Sequence, residues 1–279
     1  MTTDSFMASD GTKIHTVYWR PAGISERVVI IVHGISEHSG RYEHVAKHLT
    51  DAGYHVYALD HRGHGQSDGE RIHVDNNTQF ITDLKQYHAQ IKENHPNATI
   101  FMLGHSMGSV ISLQFILTYP NAVDAIIVTG TATDVGSDVS PVLRSTVNFL
   151  HGIYPKTPIQ PPSGDSVLTR DPEMLAKADS DPLFYKGWTK ASSAKYVVET
   201  GEMIQERANE ITMPILIMHG EDDALTPISG SHFMYEHVSS SDKTLKLYEG
   251  LYHEVFNEPE KEQVFEDLQQ WLLTHDSLN

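Results

Sequence analysis

Short runs of consecutive apolar residues recur along the chain. A strand of a parallel sheet is covered on both faces, so it is apolar at nearly every position rather than at every second one. These runs therefore predict the buried strands of a mostly parallel sheet. In chain order, the predicted strands are residues 28–32, 55–59, 99–103, 125–128, 214–218 and 244–248.

Segments with helical periodicity lie between these runs. In residues 77–92 the side chains of Phe80, Leu84, Tyr87 and Ile91 fall on one helical face, three or four residues apart. Similar stripes follow other predicted strands, and one stripe lies close to the C-terminus. Strands that alternate with helices predict an α/β fold, in which helices cover both faces of a mostly parallel central sheet.

The stretch between the fourth and fifth predicted strands is far too long for a simple helical crossover. It carries apolar positions of its own, followed by several prolines. We therefore predict a cap at residues 131–209, inserted into a core formed by residues 1–130 and 210–279. Because a lipid pocket excludes water with apolar walls, the cap residues Leu143 and Leu150 are candidates for contact with an acyl chain.

The clearest chemical motif is Gly104-His105-Ser106-Met107-Gly108, which stands between the third predicted strand and a helical stripe. A G-x-S-x-G motif between a strand and a helix forms a sharp turn that exposes the serine hydroxyl. The two glycines let the two backbones approach closely, and the helix N-terminus favours negative charge. This context predicts that Ser106 is a nucleophile, and the alternative is a tight turn with an idle serine.

Possible catalytic partners follow Ser106 in the order that such a turn predicts, first an acid and then a histidine, each in a loop after a strand. Asp222 and Asp223 follow the fifth predicted strand, and His253 follows the sixth. Taken singly, each is as easily explained as a turn or surface residue. Taken together, they predict a catalytic triad of Ser106, His253 and one of the two aspartates, of which Asp223 is favoured.

The loop after the first predicted strand reads HGISEHSGRY, at residues 33–42. A His-Gly pair at this place supplies one backbone N–H group of an oxyanion hole, here that of Ile35. The second N–H group comes from the residue after the nucleophile, Met107. Since both donors belong to the backbone, these two side chains matter only for position.

Together these motifs resemble the monoacylglycerol lipases of the α/β-hydrolase superfamily. The resemblance rests on residues 33–42, on DHRGHGQS at residues 60–67, on the serine motif, and on KTLKLYEGLYH at residues 243–253. It implies an α/β-hydrolase fold and the cleavage of acylglycerol esters. In that family the acid is the last residue of a G-x-x-D turn, which implies Asp223 rather than Asp222.

The resemblance also extends to the substrate pocket and the reaction. Glu37 and Arg41 match the family and are expected to line the polar end of the pocket, opposite Leu143 and Leu150. The predicted reaction converts monoacylglycerol to fatty acid and glycerol through an acyl-enzyme, without a cofactor. Two alternatives stay open: a lysophospholipase or general carboxylesterase with the same triad, and a non-catalytic binding protein of the same fold.

Composition narrows the range of partners. The chain has 279 residues, a net charge of −17 and no cysteine, which excludes disulfides and thiol chemistry. Its acidic balance argues against nucleic acid and against strong docking on anionic lipid, so a transient membrane or micelle contact through the cap is expected at most. With no signal-peptide pattern and no apolar run of about 20 residues, the sequence predicts a cytoplasmic protein, with peripheral membrane association as the alternative, and it does not determine the oligomeric state.

The 18 histidines raise the question of a metal site. The best candidates are His61 and His64, and His33 with His105. Zinc needs three or four ligands with ordered support, and these residues lie in loops that the hydrolase interpretation already explains. We therefore predict no functional metal.

Overall fold

The central sheet is built from the predicted apolar runs and from two further strands near the N-terminus. The structure is a computed structural model that describes residues 1–135, 154–160 and 164–276. Its strands are β1 (Thr2–Met7), β2 (Lys13–Trp19), β3 (Arg27–Val32), β4 (His55–Leu59), β5 (Thr99–His105), β6 (Ala125–Thr129), β7 (Pro158–Gln160), β8 (Thr189–Lys190), β9 (Ile215–Gly220) and β10 (Lys243–Tyr248).

Eight of these described strands form one sheet in the order β1-β2-β4-β3-β5-β6-β9-β10, and β7 and β8 form a separate small pair. From β4 to β10 the pairing is parallel, whereas β1 and β2 are antiparallel to their neighbours. Strands β4, β5, β6 and β9 are buried at every position, as continuous apolar runs require. The mostly parallel sheet is thus confirmed, and the β1–β2 pair adds an antiparallel edge that the sequence pattern did not reveal.

Helices cover both faces of the sheet. They are α1 (Glu43–Asp51), α2 (Gln79–Asn94), α3 (Met107–Thr118), α4 (Pro172–Ser180), α5 (Ala191–Glu206), α6 (Ile228–His237) and α7 (Lys261–His275). Apolar residues of α2, α3, α5 and α6 pack on one face, and those of α1 and α7 pack on the other. Successive residues of β3 alternate between these two cores, because neighbouring side chains of a strand point to opposite faces.

The predicted cap falls partly outside the described residues, and so do Leu143 and Leu150. Helix α5 belongs to the later part of the predicted cap and packs against helices α2 and α3. The Tyr196 hydroxyl donates to Gln114 Oε1 at 2.7 Å, and the Tyr196 ring lies 5.0 Å from that of Phe80. The division into core and cap stays a prediction.

A helix long and apolar enough to cross a membrane does not occur among the described residues.

Candidate active site

Ser106 lies at the sharp junction between β5 and α3. Its backbone has φ +54° and ψ −123°, a left-handed conformation that a non-glycine residue rarely adopts. Such strain costs of the order of 1–3 kcal/mol and persists only where the surrounding structure enforces it, which is common at functional sites. Ser106 is 8% exposed. The junction therefore holds the hydroxyl at the carboxyl edge of the sheet, at the start of a helix.

The two glycines of the motif are required by close backbone contact. A Cβ atom on Gly108 would overlap the carbonyl oxygen of Val32 in β3. A Cβ on Gly104 would lie 2.5 Å from the carbonyl oxygen of Gly108 and from Ser112 Oγ. Neither position has room for a side chain, so the glycines allow α3 to start directly against the sheet.

His253 follows β10 and is hydrogen-bonded to Asp223, which follows β9. The distance from His253 Nδ1 to Asp223 Oδ2 is 2.7 Å, and both side chains are buried. Asp223 accepts a hydrogen bond from the N–H group at Nδ1, so Nε2 of the neutral ring carries no proton and keeps its lone pair. The His253 ring also lies 4.6 Å from the ring of His105, the neighbour of Ser106. The fold thus brings the predicted acid, base and nucleophile to one edge of the sheet.

Burial and charge act in opposite directions on His253. Burial of the imidazole lowers the pKa of His253, but the hydrogen bond and negative charge of Asp223 raise it, helped by the charges of Glu254 and Glu37. The net result is that the pKa of His253 lies above its ordinary value of 6.5. This shift makes the ring a stronger base, which suits a group that removes a proton from a serine.

Asp223 is held in place by several donors. The backbone N–H groups of Leu225 and Thr226 donate to Oδ1 at 2.7 and 3.0 Å, and the Thr226 hydroxyl donates to Oδ2 at 2.7 Å. His219 Nε2 lies 3.2 Å from Oδ2. Burial alone raises the pKa of Asp223, but these hydrogen bonds and His253 outweigh it and hold that pKa far below its usual range. Asp223 is therefore a fixed carboxylate, whereas the neighbouring Asp222 is exposed.

The loop that follows β3 lies directly against Ser106. A Cβ on Gly34 would lie 3.1 Å from Ser106 Cβ, so the backbone just before Ile35 approaches the nucleophile closely. On the other side, Met107 is the first residue of α3, and its N–H group is one of the four that lack a partner within a helix. These positions suit two backbone donors on either side of an oxygen bound next to Ser106.

Glu37 and Arg41 form a buried ion cluster with Glu254. The guanidinium of Arg41 donates to both oxygens of Glu254, at 2.6 and 2.9 Å, and to Glu37 Oε2 at 3.0 Å. Glu37 Oε1 accepts from the Gly34 N–H at 2.5 Å and from the Tyr42 hydroxyl at 2.7 Å. The charged ends of Glu37 and Arg41 thus hold each other and the loop. Their predicted contact with substrate stays a prediction.

A small cavity beside this cluster is lined by Glu37, Arg41 and Glu254, together with His105. Burial raises the pKa of Glu254, but Arg41 outweighs burial and lowers it to about 2. Burial lowers the pKa of His105 to about 4, and the nearby His253 lowers it further. The wall of the cavity therefore carries a permanent ion pair and a neutral histidine at pH 7.

The motif DHRGHGQS at residues 60–67 holds the loop at residues 33–42 through Asp60. Asp60 Oδ1 accepts from the N–H and the hydroxyl of Ser39, at 2.8 and 2.5 Å, and Oδ2 accepts from the Gln66 N–H at 2.8 Å. At the level of sequence, this motif is recognisable only through its family resemblance, and these hydrogen bonds of Asp60 give the physical reason for it.

The candidate metal-binding histidines are buried; His33, His61 and His64 are hydrogen-bonded to backbone groups, and His105 to the hydroxyl of Thr129 at 2.9 Å. His33 Nδ1 donates to the Gly34 carbonyl at 2.7 Å and Nε2 accepts from the His61 N–H at 3.0 Å. Burial lowers the pKa of His33 to about 4 and that of His64 to about 3, so both are neutral at pH 7. Among the described residues, no three potential ligands are grouped to hold a metal ion.

Three residues of this site were missed at the level of sequence. Glu254 neutralises Arg41, Thr226 holds Asp223, and Gly130 leaves room for the His253 ring, since a Cβ on it would lie 3.0 Å from Nδ1. An acidic residue directly after the predicted triad histidine was a signal for Glu254. Thr226 and Gly130 gave no comparable signal.

The chain is similar to known proteins over most of its length. Residues 23–260 match the family described as serine aminopeptidase, S33. The chain is 38% identical to a monoacylglycerol lipase of Mycolicibacterium smegmatis over 271 residues, which cover 97% of this chain and 96% of that protein. It is 31% identical to the human monoglyceride lipase over 269 residues, covering 95% and 88% of the two chains.

A solved structure of similar fold is the monoacylglycerol lipase of Paleococcus ferrophilus, with a TM-score of 0.84 and 26% identity. The superposition covers 94% of this chain and 99% of that one. The likeness therefore extends over the whole fold.

Proposed function

The chain belongs to the monoacylglycerol lipase family of the α/β-hydrolase superfamily, and on this premise we propose that it is a serine hydrolase that cleaves monoacylglycerol to a fatty acid and glycerol. The observation that carries the reaction type is the hydrogen-bonded pair His253–Asp223 beside the strained Ser106. The substrate class rests on the family, whose members named above act on monoacylglycerol according to their names.

In the first half of the proposed reaction, Ser106 Oγ attacks the ester carbonyl while His253 Nε2 takes the hydroxyl proton. Asp223 holds the ring in the required tautomer and stabilises the imidazolium that forms. The N–H groups of Ile35 and Met107 bind the oxyanion of the tetrahedral intermediate, each contributing roughly 3–4 kcal/mol. His253 then gives the proton to the glycerol oxygen, which leaves.

In the second half, water attacks the acyl-enzyme and His253 removes one of its protons. The second tetrahedral intermediate collapses, the proton returns to Ser106 Oγ, and the fatty acid leaves. Every group that reacts in these steps belongs to the chain, to the ester substrate or to the attacking water.

Alanine variants of the triad test the proposal. Ser106→Ala and Asp223→Ala should each lower kcat on monoacylglycerol by about 10⁴-fold or more, and together by little more than either alone. Asp222→Ala is the matched control, because Asp222 is an exposed carboxylate in the same turn, and it should retain most of the activity. An inactive Asp222→Ala with an active Asp223→Ala would overturn the acid assignment. Failure of a fluorophosphonate probe to label Ser106 would overturn the serine hydrolase.

Rates on substrates of one acyl length separate the alternatives. Monoacylglycerol should be hydrolysed faster than diacylglycerol, triacylglycerol or the lysophospholipid. A preference for the lysophospholipid would favour the lysophospholipase, and equal rates on all of them would favour a general carboxylesterase.

We also propose that the enzyme contacts lipid aggregates transiently through the predicted cap. Trp188 lies in the cap and is 49% exposed, whereas Trp19 and Trp271 are buried. Tryptophan emission should therefore shift to shorter wavelength when monoacylglycerol micelles are added, and Trp188→Ala should abolish the shift. A shift that persists in Trp188→Ala would contradict this contact. The cytoplasmic location stays a prediction.

A further inference from the structure

We propose that residues 181–185, which follow α4 in the predicted cap, position the oxyanion hole by holding the loop on both sides of Ile35. Asp181 and Tyr185 would be the main positioning residues. The inference rests on the proposed function, because it takes the Ile35 N–H group as an oxyanion donor.

The first contact fixes the residue that follows Ile35. The N–H group of Tyr185 donates to the carbonyl oxygen of Ser36 at 2.7 Å. Ser36 has φ +69°, a left-handed conformation that is unfavourable for a non-glycine residue. Such a conformation persists only when neighbouring structure enforces it. The Tyr185 hydrogen bond is a contact that helps to enforce it.

The second contact joins Asp181 to the middle of the same loop. His38 Nε2 lies 2.8 Å from Asp181 Oδ2, and both side chains are largely buried. His38 Nδ1 accepts from the Gly40 N–H at 3.2 Å, so the other ring nitrogen, Nε2, carries a proton and donates it to the carboxylate. The remaining oxygen of Asp181 accepts from the Leu183 N–H at 2.8 Å, which shapes the segment itself.

The third contact acts on the residue before Ile35. The Arg41 guanidinium lies over the ring of Phe184, 4.8 Å from its centre, so a cation–π attraction joins the two side chains. Arg41 is paired with Glu37, whose carboxylate accepts from the Gly34 N–H. Together, the three contacts restrain the loop before and after Ile35.

The cap segment is anchored at its other end as well. The carbonyl oxygen of Leu168 accepts from the N–H group of Glu254 at 2.8 Å, directly after His253. Arg170 Nε donates to Glu258 Oε2 at 2.9 Å, and Glu258 Oε1 accepts from the Tyr252 N–H at 2.9 Å. Residues 168–185 therefore run from the loop that carries His253 to the loop that carries Ile35. The segment therefore links the two loops, in addition to the direct ion pair between Arg41 and Glu254.

A plain packing role is the competing explanation, and the two differ in their kinetic consequences. Packing alone predicts lower stability with an unchanged kcat for the folded enzyme. A positioning role predicts a lower kcat with an unchanged KM, because the oxyanion forms only after the substrate is bound.

The experiment compares Asp181→Leu with Asp179→Leu. Asp179 lies two residues away in α4, carries the same charge, and has a side chain that is 77% exposed. Lys186, which pairs with the Asp179 carboxylate, also donates to the backbone carbonyl of Asp179, a contact that the substitution does not remove. Kinetics are measured on p-nitrophenyl butyrate, whose short chain makes little use of an acyl pocket. The inhibition constant of butylboronic acid is measured in parallel, since its adduct with Ser106 is tetrahedral and places an oxygen in the hole. Thermal unfolding of each variant reports folding.

Asp181→Leu should lower kcat by about 10- to 100-fold, less than or similar to the loss of a whole donor, with KM within about twofold. The boronate constant should rise by the factor by which kcat/KM falls. Asp179→Leu should stay within about twofold of the parent enzyme. If Asp181→Leu does not fold, the isosteric Asp181→Asn should show a smaller loss in the same direction.

Three results would overturn the inference: equal kinetics for the Asp181 and Asp179 variants, a rise in KM alone, or a lower Tm with an unchanged kcat. Failure of the proposed function is recognised separately. If ester hydrolysis by the parent enzyme survives Ser106→Ala, the serine mechanism is wrong. If Ser106→Ala is inactive while the Asp181 variants are normal, only the positioning role is wrong.

Discussion

The replacement of Arg41 by methionine tests whether the buried ion cluster holds the site. Methionine keeps an unbranched apolar stem but removes the guanidinium and its charge between Glu37 and Glu254. The side chains of Arg41, Glu37 and Glu254 are 8%, 5% and 7% exposed, so water cannot replace the lost partner. Removing one partner of a buried ion pair lowers the free energy of unfolding by about 3–5 kcal/mol.

The pKa of Glu254 gives a second route to the magnitude. Burial raises it and Arg41 lowers it, with a net fall from 4.5 to about 2. At about 1.4 kcal/mol for each pKa unit, this fall corresponds to roughly 3 kcal/mol of stability above pH 5. Since a chain of this size loses about 2 °C in Tm for each kcal/mol, we expect a drop of roughly 6–10 °C at pH 7.

The sign of the pH dependence is the sharper part of this prediction. In the parent protein the lowered pKa of Glu254 stabilises the fold above pH 4.5, and this contribution is lost as the pH falls towards about 2. In Arg41→Met, burial is opposed mainly by the weaker effects of the Asn257 hydrogen bond and His105, so we expect the pKa of Glu254 to rise above its ordinary value. That contribution is reversed, so the variant recovers stability relative to the parent as the pH falls from 7 to 5.

Urea unfolding at pH 7, 6 and 5 measures both effects. Lys47→Met is the control, because Lys47 forms an exposed pair with Asp51 on α1, and it should cost under about 1 kcal/mol at each pH. Arg41→Met/Glu254→Gln should recover part of the loss, since it removes one of the unpaired charges. A loss below about 1 kcal/mol for Arg41→Met, or a gap that widens as the pH falls, would refute the reasoning.

Three further predictions concern the reaction and the backbone. Because His253 must be neutral to act as a base and its pKa is raised, kcat/KM should fall with acidification through a pKa above 6.5. NMR titration of Asp223→Asn should show a lower pKa of His253, and an unchanged pKa would contradict the role of the carboxylate. Gly108→Ala should fail to fold or lose nearly all activity, because its Cβ would overlap the backbone of β3, and a normal Tm with normal kcat would contradict this packing. If Leu143 and Leu150 line an acyl pocket, Leu143→Asp or Leu150→Asp should lower kcat/KM on long-chain esters and leave that on butyryl esters nearly unchanged. The reason is that each buried methylene of the substrate contributes about 0.8 kcal/mol. Equal losses on both kinds of ester would point to a folding role.

Local patterns in the sequence determined the elements and the order of the chemical groups. The continuous apolar run of β5, the glycines around Ser106 and the stripe of α3 are neighbours in the chain, so their spacing alone predicts a strand, a sharp turn and a helix. The order of Ser106, the aspartates and His253 after successive strands follows from the same patterns. The β1–β2 pair was not evident, because an exposed antiparallel edge lacks the continuous apolar pattern.

Only the tertiary structure decided which side chains meet at the edge of the sheet. The residues themselves favoured Asp223 without excluding Asp222, and the family resemblance implied Asp223. The fold places Asp223 2.7 Å from His253. Arg41 and Glu254 are 213 positions apart in the chain, and His38 and Asp181 are 143 apart. Periodicity and motifs report short-range spacing, whereas such pairs form because loops at the ends of different strands, and a segment of the predicted cap, are folded against one another. The sequence therefore predicts the chemistry of Ser106, and the packing of distant loops determines what holds it in place.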